Sequence, residues 1–259
     1  MKEIIKESPV NPPESERPPE LPPRHDDAEA ARRIEKLAID SVAEKVHSFG
    51  DKKYSRKLFR SLARLVIELE DEIQNYDTLL SDDASGRRVT LFFKELINKK
   101  REALGKSRVQ TYFLANRGVR NRQAIEEFIR QKKSSIHKAL LVTEHISTGQ
   151  SINGLAEAIG KEHVDFDVAA VSISQRLGEY YHKIGDWIKR LRYGTRGDMA
   201  GLILYNQPSM AGVTKNKGYE DKGAGSAHPT KYEKPDRELM KRARHDMKLM
   251  AEEISKLIL

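Results

Sequence analysis

The chain has 259 residues, of which 38% are hydrophobic and 33% charged, with no cysteine and a formal charge of +8. The missing cysteine excludes a disulfide framework, a thiolate metal site and a cysteine nucleophile. No apolar run approaches the roughly 20 residues of a membrane helix, and the opening MKEIIKESPV lacks the apolar core of a secretory signal, so a cytoplasmic protein is expected.

The charge is uneven. Residues 1–27 hold four Lys/Arg against seven Asp/Glu, a local charge of −3, which leaves +11 for the rest. A basic body attracts phosphate as nucleic acid, anionic lipid, nucleotide or sugar phosphate. Charge alone does not choose among these, and an excess of this size also fits a chain with no anionic partner.

Seven of the ten prolines fall between Pro9 and Pro23, mixed with Glu and Ser. Such a stretch buries too little apolar surface to offset its ordering entropy, so residues 1–25 read as a disordered or extended tail. Residues 26–75 read as an N-terminal helical extension. Asp26 and Asp27 can cap a helix running to about Val46. A second spans about Tyr54 to Gln74, with Leu58, Leu62, Leu65, Val66 and Leu69 at steps of three and four. Two such helices in tandem suit a helical subdomain or a dimerisation arm, and a homo-oligomer is expected.

Residues 76–213 alternate strand and helix. Strands are expected at Tyr76–Ser81, Val109–Ala115, Lys138–Thr143, Phe166–Ile173 and Gly201–Tyr205. Asp82–Arg87 reads as a polar turn before a helix at about Arg88–Leu104, ended by Gly105. Arg117–Arg122 reads as a basic loop before a helix at Gln123–Lys132. A further helix runs from about Gln150 to Ile159. This order predicts an α/β fold with a mainly parallel sheet and right-handed crossovers. Residues 214–259 read as a mobile loop followed by a helix over Asp236–Leu259. Its Met240, Met247 and Met250 are expected to be core or an oligomer contact.

The segment most telling about chemistry is Ala139-Leu-Leu-Val-Thr-Glu-His-Ile-Ser-Thr-Gly-Gln-Ser151. A buried strand ends in an acid, and a Ser-Thr-Gly turn leads into a helix. Ligands of open α/β sheets bind beyond the carboxyl ends of the strands, and a helix N-terminus there suits phosphate. Ser147, Thr148 and Ser151 add hydroxyls, and Gly149 lets the backbone approach closely. An ordinary Ser/Thr-capped connection has the same composition, and the Gly-x4-Gly-Lys-Ser/Thr pattern of a P-loop is missing.

LLVTEHISTGQS resembles the phosphoribosyl-pyrophosphate loop of type I phosphoribosyltransferases. That loop has a hydrophobic strand, two adjacent acids, two apolar residues and a Thr/Asp-Thr-Gly turn. Here Thr143 and Glu144 stand at the acidic pair, so one acid is kept. His145 and Ile146 take the apolar positions, and Ser147, Thr148 and Gly149 take the turn. The order of elements extends the resemblance over roughly residues 76–175.

The resemblance implies binding of phosphoribosyl pyrophosphate with magnesium, and transfer of the phosphoribosyl group to a nucleobase or other nitrogen acceptor as diphosphate leaves. It places the 5-phosphate on Ser147, Thr148, Gly149, Gln150 and Ser151, and the ribose hydroxyls on Glu144. The diphosphate falls to Asp82, Asp83, Ser85, Gly86 and Arg87, and a closing cover over it falls to Arg117, Arg120 or Arg122. Glu144 or Asp83 would hold magnesium. Glu144 and Arg87 are the expected catalytic residues.

Thr143 is the departure from the pattern. A hydroxyl in place of a carboxylate removes a charge that would steady the oxocarbenium-like state, at a cost on the order of a hundred-fold in rate. The alternative is therefore a non-catalytic sensor or regulator of the same fold. A further alternative is an RNA-binding protein using its basic surface, with no recognised nucleic-acid motif to support it. His145 is expected to point into sheet–helix packing. Trp187 is expected to pack rather than stack a base, and Arg190, Arg192 and Arg196 are expected to form a solvated face.

Overall fold

The computed structural model describes residues 21, 24, 26–49, 52–114, 118–177, 185–197 and 237–259. For 82–85, 118–121, 237, 239 and 240 it describes the backbone alone. Five strands, β1 (Thr78–Asp82), β2 (Gln110–Leu114), β3 (Ala139–Ile146), β4 (Phe166–Ile173) and β5 (Leu191–Arg196), form one parallel sheet in the order β2-β1-β3-β4-β5. The helices are α1 (Asp27–Glu35), α2 (Ile39–Lys45), α3 (Lys52–Leu69), α4 (Asp83–Ala103), α5 (Gly118–Lys132), α6 (Gln150–Lys161) and α7 (Arg237–Ile254). The expected α/β class is what the chain adopts.

Two apolar layers follow from the alternation of side chains along the strands. Leu79, Leu140, Val142, Ala169 and Val171 face a cluster built by α1 to α4 and α7. Leu80, Leu141, Val168, Ala170 and Leu191 face the cluster of α5 and α6. Strands covered on both faces read as continuous apolar runs, as Ala139–Val142 does. No helix among the described residues is long and apolar enough to cross a membrane.

Several boundaries differ from expectation. The first helix is two, because Lys36 bonds back to Arg33 and Ile34 and ends α1, and α2 starts after Ala38. Asp26 caps α1 as expected, accepting from Ala28 N at 2.7 Å and Glu29 N at 3.1 Å. Of the helices expected as an extension, α3 lies on the sheet itself, and α1 and α2 pack on α3. α3 covers β4 and β5, because its apolar stripe continues the cluster of α4 and α7. Met247 and Met250 are core, at 1% and 0% exposure.

Asp82–Arg87 is not a turn, since α4 starts at Asp83, directly after β1. Acidic residues suit a helix N-terminus, and Gly86 allows the close approach this needs. A Cβ there would lie 2.5 Å from the Val142 carbonyl oxygen and 2.7 Å from Ser81 Oγ. Likewise α5 begins at Gly118, inside the expected basic loop. The fifth strand is Leu191–Arg196, whereas the expected Gly201–Tyr205 lies outside the described residues.

One described residue before α1 reaches the edge strand β5. Arg24 Nη2 donates to the Gly194 carbonyl at 3.1 Å, and its guanidinium stacks 4.7 Å from the Tyr193 ring centroid. Leu21 packs on the α5–α6 side.

Candidate functional site

The strand order contains one reversal. From β1 the chain crosses through α4 to β2 on one side, and from β3 through α6 to β4 on the other. α4 and α6 therefore lie on opposite faces. Their N-termini converge where β1 and β3 end side by side, the place at which open α/β sheets hold ligands. β3 reaches beyond its neighbour: Ser81 pairs with Val142, and β3 continues to Ile146.

On the α6 face the turn Ser147–Gly149 is formed as expected. Gly149 sits at φ +79°, ψ −7°, a left-handed conformation that costs a residue with Cβ about 1 kcal/mol or more. Its carbonyl accepts from Asn153 N at 2.8 Å, and Thr148 Oγ1 accepts from Gln150 N at 3.4 Å. Ser147, Gln150 and Ser151 are exposed and Thr148 is half-buried. The first amides of α6 thus open toward the crevice with hydroxyls beside them.

The expected acidic position is arranged differently. Thr143 is 1% exposed on the α6 face, and Glu144 is 3% exposed on the α4 face. Glu144 faces Arg88, which is 8% exposed, and Asp246 of α7 flanks the same guanidinium. Burial pushes Arg88 down to about 10, while the two carboxylates favour its charged form. Neither Nη of Arg88 has a hydrogen-bond partner among the described residues. Its Cζ lies 5.6 Å from the Phe49 ring centroid. Asp246 Oδ2 accepts from His47 N at 3.0 Å, Ser48 N at 2.9 Å and Ser48 Oγ at 2.5 Å.

Compared with known proteins, the chain matches no family model and no curated protein. The character of the site therefore rests on its own geometry.

The expected site residues divide into three sets. Ser147, Thr148, Gly149, Gln150 and Ser151 gather at the start of α6, and Gly86 lies one strand away against Val142. Arg87 sits at the start of α4 but leans toward β2, its Cζ 4.6 Å from the Phe113 ring centroid. Asp82 ends β1 and Asp83 and Ser85 open α4, with side chains outside the described residues, as are all of Arg117 and the side chain of Arg120. Arg122 is turned to α6, paired with Glu157 and with Glu126 at 3.4 Å.

For magnesium the described residues assemble no site, and the side chain of Asp83, the other expected ligand, lies outside them. No group of three or more His, Asp or Glu among them could hold a metal, and Glu144 faces a buried guanidinium instead of the crevice.

Two pairings escape a reading of the sequence. His145 Nδ1 meets Ser172 Oγ at 2.8 Å, across the register pair His145–Ser172 of β3 and β4. Only the strand register could have revealed it. Trp187 packs as expected, 4% exposed, and its Nε1 donates to Asn153 Oδ1 at 2.8 Å, which also accepts from Gly185 N at 2.8 Å. A cavity of about 650 Å³ lies at the opposite, amino end of the sheet. Trp187, Phe166, Val164, Lys161 and Arg190 are among its lining residues.

Proposed function

We propose that the chain binds phosphoribosyl pyrophosphate in the crevice between the N-termini of α4 and α6. The carrying observation is the left-handed Gly149 between the end of β3 and a twelve-residue helix at the sheet's reversal point. There the first amides of α6 and the hydroxyls of Ser147, Thr148 and Ser151 receive the 5-phosphate. Gly86 keeps α4 close enough to β3 for the diphosphate to reach the start of α4.

A second reading adds turnover, with transfer to a nitrogen base and release of diphosphate. Arg87, at the start of α4, favours it by offering a cation to the leaving group. Glu144 and Thr143 favour the binder, since both are buried and the carboxylate is matched to Arg88 rather than to a sugar.

Calorimetry with phosphoribosyl pyrophosphate and magnesium tests the binding reading, and saturable heat is expected. Gly149→Val is expected to remove that heat and keep the circular dichroism spectrum of the natural chain. Silence at millimolar ligand would sink both readings. A screen of purine, pyrimidine and other nitrogen acceptors for diphosphate release then separates them. Release abolished by Arg87→Gln establishes the transferase, and binding without release establishes the sensor.

A further inference from the structure

The carboxyl end of the sheet carries a second feature, independent of the phosphoribosyl reading. Side-chain pairings fix which helix ends lie there. Ser61 Oγ of α3 donates to Thr195 Oγ1 at 2.8 Å, one residue before the end of β5. Beyond Ser61 the chain returns to the start of β1, so the earlier turns of α3 run the other way. The eight residues from Ser61 back to Lys53 rise ~12 Å, which carries them past the strand ends. α7 runs alongside α4 in the same direction: Arg88, early in α4, faces Asp246 at the middle of α7, and Lys99 Nζ, late in α4, meets Ser255 Oγ just past the end of α7 at 3.3 Å. The beginning of α7 therefore stands at the same end. Arg176 follows β4, and Arg196 closes β5.

Lys53, Arg176, Arg196, Arg242 and Arg244 are all exposed. None is in an ion pair among the described residues. The described carboxylates nearby are engaged within the protein. Glu44 meets Lys52, Asp40 meets Arg56 at 2.6 Å, and Glu238 meets Lys241 at 2.8 Å. Asp246 is closed off by its three hydrogen bonds at His47 and Ser48.

Five exposed cations, none in an ion pair among the described residues, come from α3, α7 and the exits of β4 and β5 and spread positive charge over one end of the molecule. A field of that breadth suits a polymer of phosphates better than a single ion. A membrane surface is the other polyanion, and stable attachment there needs apolar anchors. The exposed large apolar residues among those described are Leu104 and Leu259. Both lie at the far end, after α4 and beside the Lys100–Ile258 hydrogen bond.

We infer that the carboxyl end of the sheet docks nucleic acid through its backbone phosphates. The test is fluorescence anisotropy of the full chain with a short labelled oligouridylate and a short labelled DNA duplex. At about 50 mM salt at least one should bind, and affinity should fall at least tenfold by about 200 mM. Combined Lys53→Glu, Arg242→Glu and Arg244→Glu should weaken binding about tenfold or more. Combined Lys53→Gln, Arg242→Gln and Arg244→Gln should shallow the slope of log affinity against log salt by about one for each phosphate no longer neutralised. Lys161→Glu and Arg190→Glu, at the opposite end, should leave affinity within about twofold. The inference is overturned by no binding at low salt, by salt-independent binding, or by equal losses in the opposite-end variants. Binding to phosphatidylserine vesicles with none to either oligonucleotide would also overturn it. If the charge-reversed protein unfolds, the Gln series decides, because an unchanged salt slope there removes these side chains from the phosphate interface.

Discussion

The two ends of the sheet are built on different principles. At the amino end many charges are paired, although Lys132, which ends α5, and Lys133 after it are exposed with no ion pair among the described residues. Lys138 meets Glu72 at 2.6 Å and Asp167 at 3.4 Å, Arg190 meets Asp165 at 2.7 Å, and Arg130 meets Glu162 at 3.0 Å. Arg101 donates to the carbonyls of Ser107 at 2.5 Å and Tyr76 at 2.9 Å, tying the entry of β2 to that of β1. Left-handed backbone occurs at both ends, at Gly149 on the carboxyl side and at Gly105 and His163 on the amino side, but at the carboxyl end Gly86 admits no side chain and Arg88 is buried with both Nη atoms lacking a partner among the described residues. The amino end holds strands in register, and the carboxyl end is where the proposed ligand would sit.

The contrast can be broken by experiment, and the largest effect is expected in the sheet beneath the carboxyl end. Gly194→Ala would set a Cβ 2.1 Å from the Ser61 carbonyl oxygen and 2.8 Å from that of Val171. Backbone cannot step aside cheaply, so a loss of about 3 kcal/mol or more is expected in urea unfolding. A variant as stable as the natural chain would mean that α3 does not lie so tightly on β5. Next comes Glu144→Gln, which leaves Arg88 with Asp246 as its remaining buried counter-charge. A loss of about 2–3 kcal/mol is expected. In a double-mutant cycle with Arg88→Met the two losses should fall short of additive. Additive losses would show that the two groups do not sense each other.

Asn153→Ala removes the acceptor shared by Gly185 N and Trp187 Nε1. About 1–2 kcal/mol is expected, with a red shift in the fluorescence of the single tryptophan. An unshifted spectrum would detach Trp187 from α6. The smallest effect belongs to the amino-end pairs. Arg190→Gln should change stability by less than about 1 kcal/mol, because both partners of that pair are about half exposed.

A pH titration sharpens the same contrast. Hydrogen bonds from Lys138 and Asn75 hold Glu72 below its usual range, so its contribution is present above pH 4.5 and fades as pH falls through the folded value. Glu72 and Asp167 raise Lys138 against its desolvation, so that contribution is present below pH 10.5 and fades as pH rises through the folded value. The melting-temperature gap between the natural chain and Lys138→Gln should therefore be flat from about pH 5.5 to 9.5 and close toward pH 3. A gap that widens on acidification would contradict the assignment.

What is legible in the sequence follows physical rules. Phe166–Ile173 can be read to the residue, because it is apolar, β-branched in part, and bounded by polar turns. The Ser147–Gly149 turn is legible because glycine and hydroxyl residues between a buried strand and a helix have few other uses. The start of α4 is not. Asp-Asp-Ala-Ser-Gly has the composition of a turn, and only its packing against Val142 makes it a helix. β5 is obscured by its arginines, although Leu191 and Tyr193 alternate inward. The burial of Glu144 is equally hidden, since its counter-charge is Arg88 of α4, a guanidinium that it shares with Asp246 near the chain's end.

Arg24 and Leu21 give the stretch ahead of α1 a practical meaning. A shortened protein starting at residue 26 would lose the guanidinium that occupies the Gly194 carbonyl and the leucine that packs on the α5–α6 cluster. That would uncover one margin of a ribbon of hydrogen-bonding groups, and such margins zip onto their own kind. Trimming the proline-rich leader for convenience therefore risks trading a tractable sample for a sticky one.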